Sequence, residues 1–137
     1  MKRLTTLFLL LTLSFCGYAS EDMVLQEADI DLGNSESLQR GAKHYVKYCL
    51  GCHSVKHIRY QRMALDFGVD DKKVLKDIAI EGASIYDQLH SAMNGHDAEK
   101  WFGVQPPDLS LIGRSRGADW LYSYLKGFYV DKTKPSG

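Results

Sequence analysis

The most constraining feature of this 137-residue sequence is the run Cys49-Leu50-Gly51-Cys52-His53. The third cysteine, Cys16, lies well apart from it in an apolar amino-terminal stretch. In an exported protein, a cysteine pair at this spacing forms a disulfide, clips a metal ion or tethers a cofactor. In a random chain of this length and composition, the run would occur with a probability of roughly 0.002, so its presence indicates a function.

The spacing of the run matches the attachment pattern of a c-type haem. In that pattern two thiols add across the haem vinyl groups, and the adjoining imidazole binds the iron. Two intervening residues in a helical turn place both sulfurs along one haem edge and the next side chain beneath the metal. The run therefore predicts one covalently bound haem c, with Cys49, Cys52 and His53 as the residues that hold it.

Two other readings of the cysteine pair stay open. A zinc site needs further ligands, and the chain offers only the scattered His44, His57, His90 and His96. A thioredoxin-like redox pair needs a βαβ context, whereas the flanks here have a helical pattern. The four histidines lie beside charged or polar residues, so we expect them to be solvated surface side chains.

Hydrophobic spacing predicts a mainly α-helical domain. Apolar residues at positions 38, 42, 45, 46 and 49 share one helix face, with Asn34 or Ser35 as the cap. Shorter helices are predicted at about 58–66, ended by Gly68, at 71–81, ended by Gly82, at 97–102, at 108–112, capped by Asp108, and at 118–128. We find no alternating pattern long enough to predict a strand.

Gly41 lies inside the first predicted helix, where glycine costs about 0.5–1 kcal/mol relative to alanine. A close helix contact would explain that cost. The Gly41 and Tyr45 pattern before the cysteines resembles the amino-terminal helix of c-type cytochromes. There the glycine and the aromatic residue pack across the terminal helix, which would here be Trp120–Phe128.

The amino terminus has the pattern of a secretory signal. A short positive end at Lys2 and Arg3 precedes an apolar run that is shorter than the roughly 20 residues needed to span a bilayer. We predict a signal peptide over 1–19, cleaved after Ala19, then an irregular arm over 20–34 and a cytochrome c domain over 35–137. An uncleaved anchor and a lipid-modified Cys16 are the alternatives.

Charge argues against a nucleic-acid partner. Residues 20–137 carry 15 basic and 17 acidic side chains, since residues 1–19 contain two basic residues and no acid. We find no basic stripe. Haem propionates would make the surface more negative, which suits a basic redox partner met by electrostatic steering.

Beyond the run, the sequence resembles the cytochrome c1 family, whose members are the haem subunits of bacterial ubiquinol:cytochrome c reductase. The resemblance covers essentially all of the chain after the predicted signal. It is carried, in family order, by Tyr48–Ser54, Arg59-Tyr60, Asp66–Gly68, Trp101–Gly103, Pro106–Ser110, Arg114–Leu121 and Gly127–Tyr129.

The resemblance implies a set of site residues. It makes Cys49 and Cys52 the thioether anchors of one haem c and His53 the proximal iron ligand. It also places Arg116 on a haem propionate. The alternative for Arg116 is a solvated arginine beside Arg114. The remaining implied residues wall the pocket: Pro107, Ile112 and Trp120.

The resemblance also implies a function without a catalytic site of the chain's own. The subunit would take an electron from the Rieske iron–sulfur protein and pass it to a c-type cytochrome. It would work beside cytochrome b on the periplasmic face of the bacterial inner membrane. Family members continue further and supply an axial methionine and a membrane helix, so we expect domain 35–137 to be incomplete at its carboxyl end and the full-length protein to be membrane-associated.

Two further hypotheses stay open. A self-contained soluble periplasmic class I cytochrome c would use Met93 as the sixth iron ligand, although the surroundings of Met93 match a family segment remote from that role. Otherwise Met93 is a flexible core residue. An open sixth site would instead allow peroxidase-like or gas-binding chemistry.

Overall fold

Short helices and one small antiparallel ladder make up the fold. The structure is a computed structural model, and it describes residues 24–130 and 132–133. The elements are, in order, α1 (Ser35–Tyr48), β1 (Val55–Arg59), α2 (Tyr60–Phe67), α3 (Asp71–Asp77), β2 (Gln88–Leu89), α4 (Gly95–Phe102), α5 (Ile112–Arg116) and α6 (Ala118–Lys126). The mainly α prediction is confirmed. The predicted signal peptide, 1–19, lies outside the described residues.

Helix α1 begins where the sequence predicts. The side chain of Asn34 accepts a hydrogen bond from the backbone N–H of Ser37, which satisfies one of the free donors at the helix start. Ala42, Tyr45 and Val46 lie on one face and pack against the core, as their spacing indicates.

The contact predicted at Gly41 is wrong. A Cβ at this position would meet nothing within 4 Å, and Gly41 is exposed. In the described part of the chain, helix α6 contributes no fully buried side chain. Its partners are helix α5 and the extended residues before α1: Gln26 N–H donates to Ser123 Oγ (2.8 Å) and Ala28 N–H to Asp119 Oδ1 (2.9 Å).

The ladder between β1 and β2 corrects the expectation that no strand is present. The strands are antiparallel, with Val55 opposite Leu89 and Arg59 opposite Gln88. An irregularity in the register separates the two pairs, and the burial along β1 does not alternate. The period-2 signal is therefore missing from the sequence, because the ladder is short and irregular.

Three helix boundaries also differ from the predictions. Positions 58 and 59 belong to β1, so α2 begins at Tyr60. Helix α3 ends at Asp77, well before Gly82, because Ile78 leaves helical geometry and its side chain enters the core. The segment 108–112 is not a helix, since α5 begins only at Ile112, where the predicted helix ended.

The core lies where α1, α2 and α3 meet the ladder. Helix α1 contributes the half-buried Ala42, Tyr45 and Val46, and the hydrophobic effect keeps the buried side chains of the other segments out of water. The buried cluster consists of Leu50, Val55, Tyr60, Ala64, Val74, Ile78, Ile85 and Leu89. Leu50 lies within the haem-attachment run and Val55 lies two residues after it, so this core fixes the chain both inside the run and just beyond it.

No helix in the described ranges is long and apolar enough to cross a membrane.

The core can be tested at Leu89, which is fully buried on β2. Leu89→Ala should lower the free energy of unfolding by about 2–5 kcal/mol, because it removes buried methyl groups and leaves a cavity. Urea unfolding of the haem-loaded chain measures the loss. Leu65→Ala on α2, where the side chain is 73% exposed, is the control and should change stability by less than about 0.5 kcal/mol. Equal losses would contradict this assignment of the core.

Candidate haem site

The run Cys49–His53 winds through a turn that continues the end of α1. Cys49 N–H donates to Tyr45 O (2.8 Å), and His53 N–H donates to Cys49 O (2.8 Å), a bond with helical i to i+4 spacing. Both cysteines are free thiols and are partly exposed, while Leu50 between them is buried. This is the helical turn that the thioether spacing requires, with its thiols accessible.

The ring of His53 is held by one hydrogen bond. Its Nδ1 lies 2.9 Å from the backbone carbonyl oxygen of Pro107. A carbonyl oxygen only accepts, so Nδ1 carries the proton and the lone pair lies on Nε2. Histidines that ligate metals almost always donate their other ring N–H in this way, which fixes the ring and raises its basicity. The donor set therefore fits a haem iron bound at Nε2.

The segment 107–110 runs along the segment 53–57, and we call this contact the 53–57/107–110 seam. Leu109 N–H donates to Ser54 O (2.8 Å), which is a backbone bond. Two further bonds use side chains: Lys56 N–H donates to Asp108 Oδ2 (3.0 Å), and His57 N–H donates to Ser110 Oγ (3.2 Å). The seam thus holds the backbone carbonyl of Pro107 next to the ring of His53.

Asp108 remains ionised in this seam. Partial desolvation alone would raise the pKa of its carboxyl. The hydrogen bonds from Ser110 and from the N–H of Lys56 outweigh that effect and, with the positive charge of Lys56, lower the pKa to about 2. The carboxylate therefore accepts both backbone N–H groups throughout the physiological pH range.

Tyr45 holds the run from the α1 side. Its hydroxyl donates to the backbone carbonyl of His53 (2.8 Å). Burial raises the pKa of this hydroxyl well above its usual value, and the negative charge of Asp108 adds to the rise. Tyr45 is therefore always a donor, and His53 is bonded at both its ring and its carbonyl.

A cavity of about 210 Å³ lies beside Cys52, and Met93 is among its lining residues. Ser91 shapes this wall, since its Oγ donates to Gly51 O (2.7 Å) and its N–H donates to Ser54 Oγ (2.8 Å). The structure therefore brings Met93, named above as the alternative sixth ligand, close to one of the two cysteines.

The four residues that the resemblance assigns to the pocket divide into two groups. Pro107 contacts His53 through its carbonyl, and Ile112 is half-buried at the start of α5, two residues beyond the seam. Arg116 and Trp120 pair with each other, the guanidinium carbon lying 5.1 Å from the ring centroid. Within the described residues, no hydrogen bond or ring contact joins this pair to Cys49–His53.

The other histidines are exposed, as predicted. His44 makes an edge contact with Tyr48, and His90 Nε2 lies 3.0 Å from Gln88 Oε1. Among residues 24–130 and 132–133, no three side chains of His, Cys, Asp or Glu are grouped so that they could hold a metal ion.

Sequence reasoning missed two residues of the site. It assigned Asp108 only to a helix cap, and Tyr45 only to an apolar helix face and a packing contact with the terminal helix. The spacing Asp108-x-Ser110 after two prolines is a signal for a turn in which the carboxylate accepts an N–H two residues on. No local pattern predicts the bond from Asp108 to Lys56, which joins residues 52 positions apart.

Comparison with known proteins gives the same assignment. A family model described as the Cytochrome C1 family matches residues 28–92. The cytochrome c1 of Allochromatium vinosum is 49% identical over 113 residues, which are 82% of this chain and 46% of that protein. The chain belongs to the cytochrome c1 family. Membership of this family implies a covalently bound haem c and places the chain among electron-transfer haem proteins.

Two further relatives are similar to this chain, and one of them carries a different name. The ammonia monooxygenase gamma subunit of Nitrosomonas europaea is 43% identical over 139 residues, which cover the whole chain and 59% of that protein. The cytochrome c1 of Rhodospirillum rubrum is 30% identical over 112 residues, which cover 69% of the chain and 41% of that protein. The chain spans about half the length of the curated relatives it matches.

The bond from Tyr45 can be tested without disturbing packing. Tyr45→Phe keeps the ring and removes the hydroxyl, so the partly buried carbonyl of His53 loses its donor. We expect a loss of about 0.5–1.5 kcal/mol in the free energy of unfolding, measured by urea denaturation. Tyr48→Phe is the matched control, because its ring is 68% exposed. A loss in the control as large as that in Tyr45→Phe would show that the bond to His53 does not stabilise the run.

Proposed function

We propose that this chain is the haem-bearing part of an electron-transfer subunit of a ubiquinol:cytochrome c reductase. The thiols of Cys49 and Cys52 form thioethers to one haem c, and Nε2 of His53 binds its iron. The observation that carries this proposal is the bond between Nδ1 of His53 and the carbonyl of Pro107. Two free thiols lie close to this histidine in the sequence: Cys52 directly precedes it, and Cys49 lies one helical turn before it.

The bound haem supplies a one-electron couple between ferric and ferrous iron. The residues of the chain hold and tune that couple. Pro107 keeps the proton of His53 on Nδ1, which leaves Nε2 free for the metal, and Tyr45 fixes the histidine backbone. Arg116 contacts a haem propionate, and Pro107, Ile112 and Trp120 wall the pocket. No bond is made or broken on the polypeptide during transfer.

The electron comes from a Rieske iron–sulfur protein and leaves to a c-type cytochrome, on the periplasmic face of the inner membrane beside cytochrome b. Residues 1–19 act as the export signal, and the subunit is associated with the membrane. Support for these partners comes from the similarity to proteins named cytochrome c1 and from the slightly acidic charge of residues 20–137, which suits a basic partner.

Haem attachment is tested first by exporting the full chain in a host that matures c-type cytochromes. The purified chain should keep its haem colour after denaturing electrophoresis. It should accept one electron from a reduced Rieske protein and reduce a ferric c-type cytochrome. Replacing Cys49 and Cys52 together with Ala should abolish the covalent haem, and His53→Ala should change the ligation of the iron.

Two matched variants control this experiment. Cys16→Ser removes the cysteine outside the run, and His57→Ala removes an exposed histidine near it, and both should keep the haem. Colourless protein in which both thiols of the run can be alkylated would refute the proposal. Isolation of the tagged complex from membranes should recover cytochrome b and the Rieske protein. Recovery of monooxygenase subunits instead would contradict the proposed partners but not the haem site.

The soluble-carrier alternative makes a separate prediction at Met93, which lines the cavity beside Cys52. Under the proposed function, Met93 is not an iron ligand, so Met93→Leu should leave the axial ligation unchanged. Leucine fills a similar volume, so the packing around this position should also persist. Absorption and magnetic circular dichroism spectra of the oxidised haem protein measure the ligation. Loss of a methionine-ligated low-spin spectrum in this variant would favour the self-contained class I cytochrome c.

A further inference from the structure

Asp108 is bonded both to a segment that is remote in the sequence and to its own loop. Its Oδ2 accepts the N–H of Lys56 (3.0 Å) on β1, and its Oδ1 accepts the N–H of Ser110 (2.9 Å) in its own loop. The acceptor is ionised, so both bonds are charge-assisted and stronger than bonds between neutral groups. Asp108 also directly follows Pro107, whose carbonyl oxygen contacts the ring of His53.

The carbonyl of Pro107 depends on its neighbours for its position. Pro106 and Pro107 have no backbone N–H, so neither can anchor itself by donating a backbone hydrogen bond. Pro107 is also exposed, so core packing does not hold it. The nearest anchors on the carboxyl side are the bonds of Asp108, the bond from Leu109 N–H to Ser54 O, and Ser110 Oγ on His57 N–H.

We infer that Asp108 is a positioning residue for the iron ligand: by joining β1 to the 107–110 loop, its carboxylate keeps the carbonyl of Pro107 on Nδ1 of His53 and so sets the basicity of that histidine. This inference rests on the proposed function, in which His53 binds the iron. Asp108 acts through Pro107, whose carbonyl oxygen contacts the ring of His53.

The inference has a definite electronic consequence. An imidazole that donates a strong hydrogen bond from Nδ1 is a more basic ligand, and it stabilises ferric iron more than ferrous iron. Loosening the carbonyl of Pro107 should therefore raise the reduction potential. The low pKa of Asp108 keeps the carboxylate charged at physiological pH, so this support should not vary there.

The test compares Asp108→Ala and Asp108→Asn with the unaltered chain, all exported and loaded with haem. Redox titration should show that Asp108→Ala favours the reduced form by about tenfold, which equals about 59 mV for a one-electron couple. Asp108→Asn keeps one acceptor oxygen and should give a smaller shift in the same direction. The Nδ1 proton of His53, followed by NMR, should exchange with solvent faster in both variants.

Asp31→Ala is the matched control. Asp31 accepts the N–H of Gly33 (2.8 Å), the same local bond that Asp108 makes to Ser110, but it precedes α1, whereas His53 follows that helix. This control should leave both the potential and the proton exchange unchanged. If Asp108→Ala yields no haem protein, Asp108→Asn decides the question by the same two measurements.

Unchanged potential and unchanged Nδ1 exchange in the Asp108 variants would overturn the inference. A merely structural role would lower stability in urea without moving either measurement, and this result would also overturn it. Failure of the proposed function looks different, because the unaltered chain would then lack covalent haem or would not exchange electrons with its partners. In another outcome, the unaltered chain carries haem and yet exchanges no electrons with its partners. If the Asp108 variants then still change the reduction potential and the exchange of the Nδ1 proton, the result supports the positioning role alone.

Discussion

The segment from His53 to Arg59 is bonded along both of its edges, and the geometry of the site depends on this. On one edge Val55 pairs with Leu89 of β2. On the other edge Ser54, Lys56 and His57 bond to the 107–110 loop. Leu89 lies more than 30 residues from Val55 along the chain, and the bonded residues of the 107–110 loop lie more than 50 residues from their partners. Folding therefore closes two long loops to form these bonds. The entropic cost of closing a loop grows only slowly with its length, and the buried Val55 and Leu89 side chains offset it.

The second edge of β1 shows how polar groups serve both stability and function. An edge strand presents N–H groups that have no strand partner and that can pair with other chains. Here the backbone N–H groups of Lys56 and His57 donate to side chains of the 107–110 loop, which takes the place of a third strand. The same bonds bring the Pro107 carbonyl to His53. Within the described residues, no buried side-chain nitrogen or oxygen lacks a partner, so the arrangement incurs no desolvation penalty of that kind.

The sequence predicts what depends on local chemistry, and it fails where distant segments meet. The haem-attachment run, the capped start of α1 at Asn34 and the glycine at the end of α2 follow from residue type and spacing. The ladder does not, because β2 has only two residues and the register of β1 is irregular. The end of α3 was missed because Ile78 leaves the helix to enter the core. The Gly41 contact was inferred from the cost of glycine and from a resemblance to c-type cytochromes, and neither of them is an observation of a neighbour in this fold.

Similarly, no pattern reveals that Asp108 reaches Lys56, since the bond exists only after β1 and the 107–110 loop have come together. Composition and spacing identify the residues that can bind haem. The residues that orient them are identified only by contacts between segments that are far apart in the sequence. Family resemblance partly fills this gap, because it assigned Pro107 to the pocket. It assigned the residue as a wall, however, whereas the structure also uses its carbonyl as a hydrogen-bond acceptor.

The residues assigned to the pocket are anchored with unequal strength. His53 follows the buried Leu50 and precedes the buried Val55, so displacing it requires the core to open. Helix α6 buries no side chain fully, and its aromatic residues stack on one another: the rings of Trp120 and Tyr124 are 5.0 Å apart and nearly parallel. Contacts within one helix, such as this one, open locally at lower free energy than a core does. The bond between His53 and Pro107 therefore does not depend on the contact between Arg116 and Trp120.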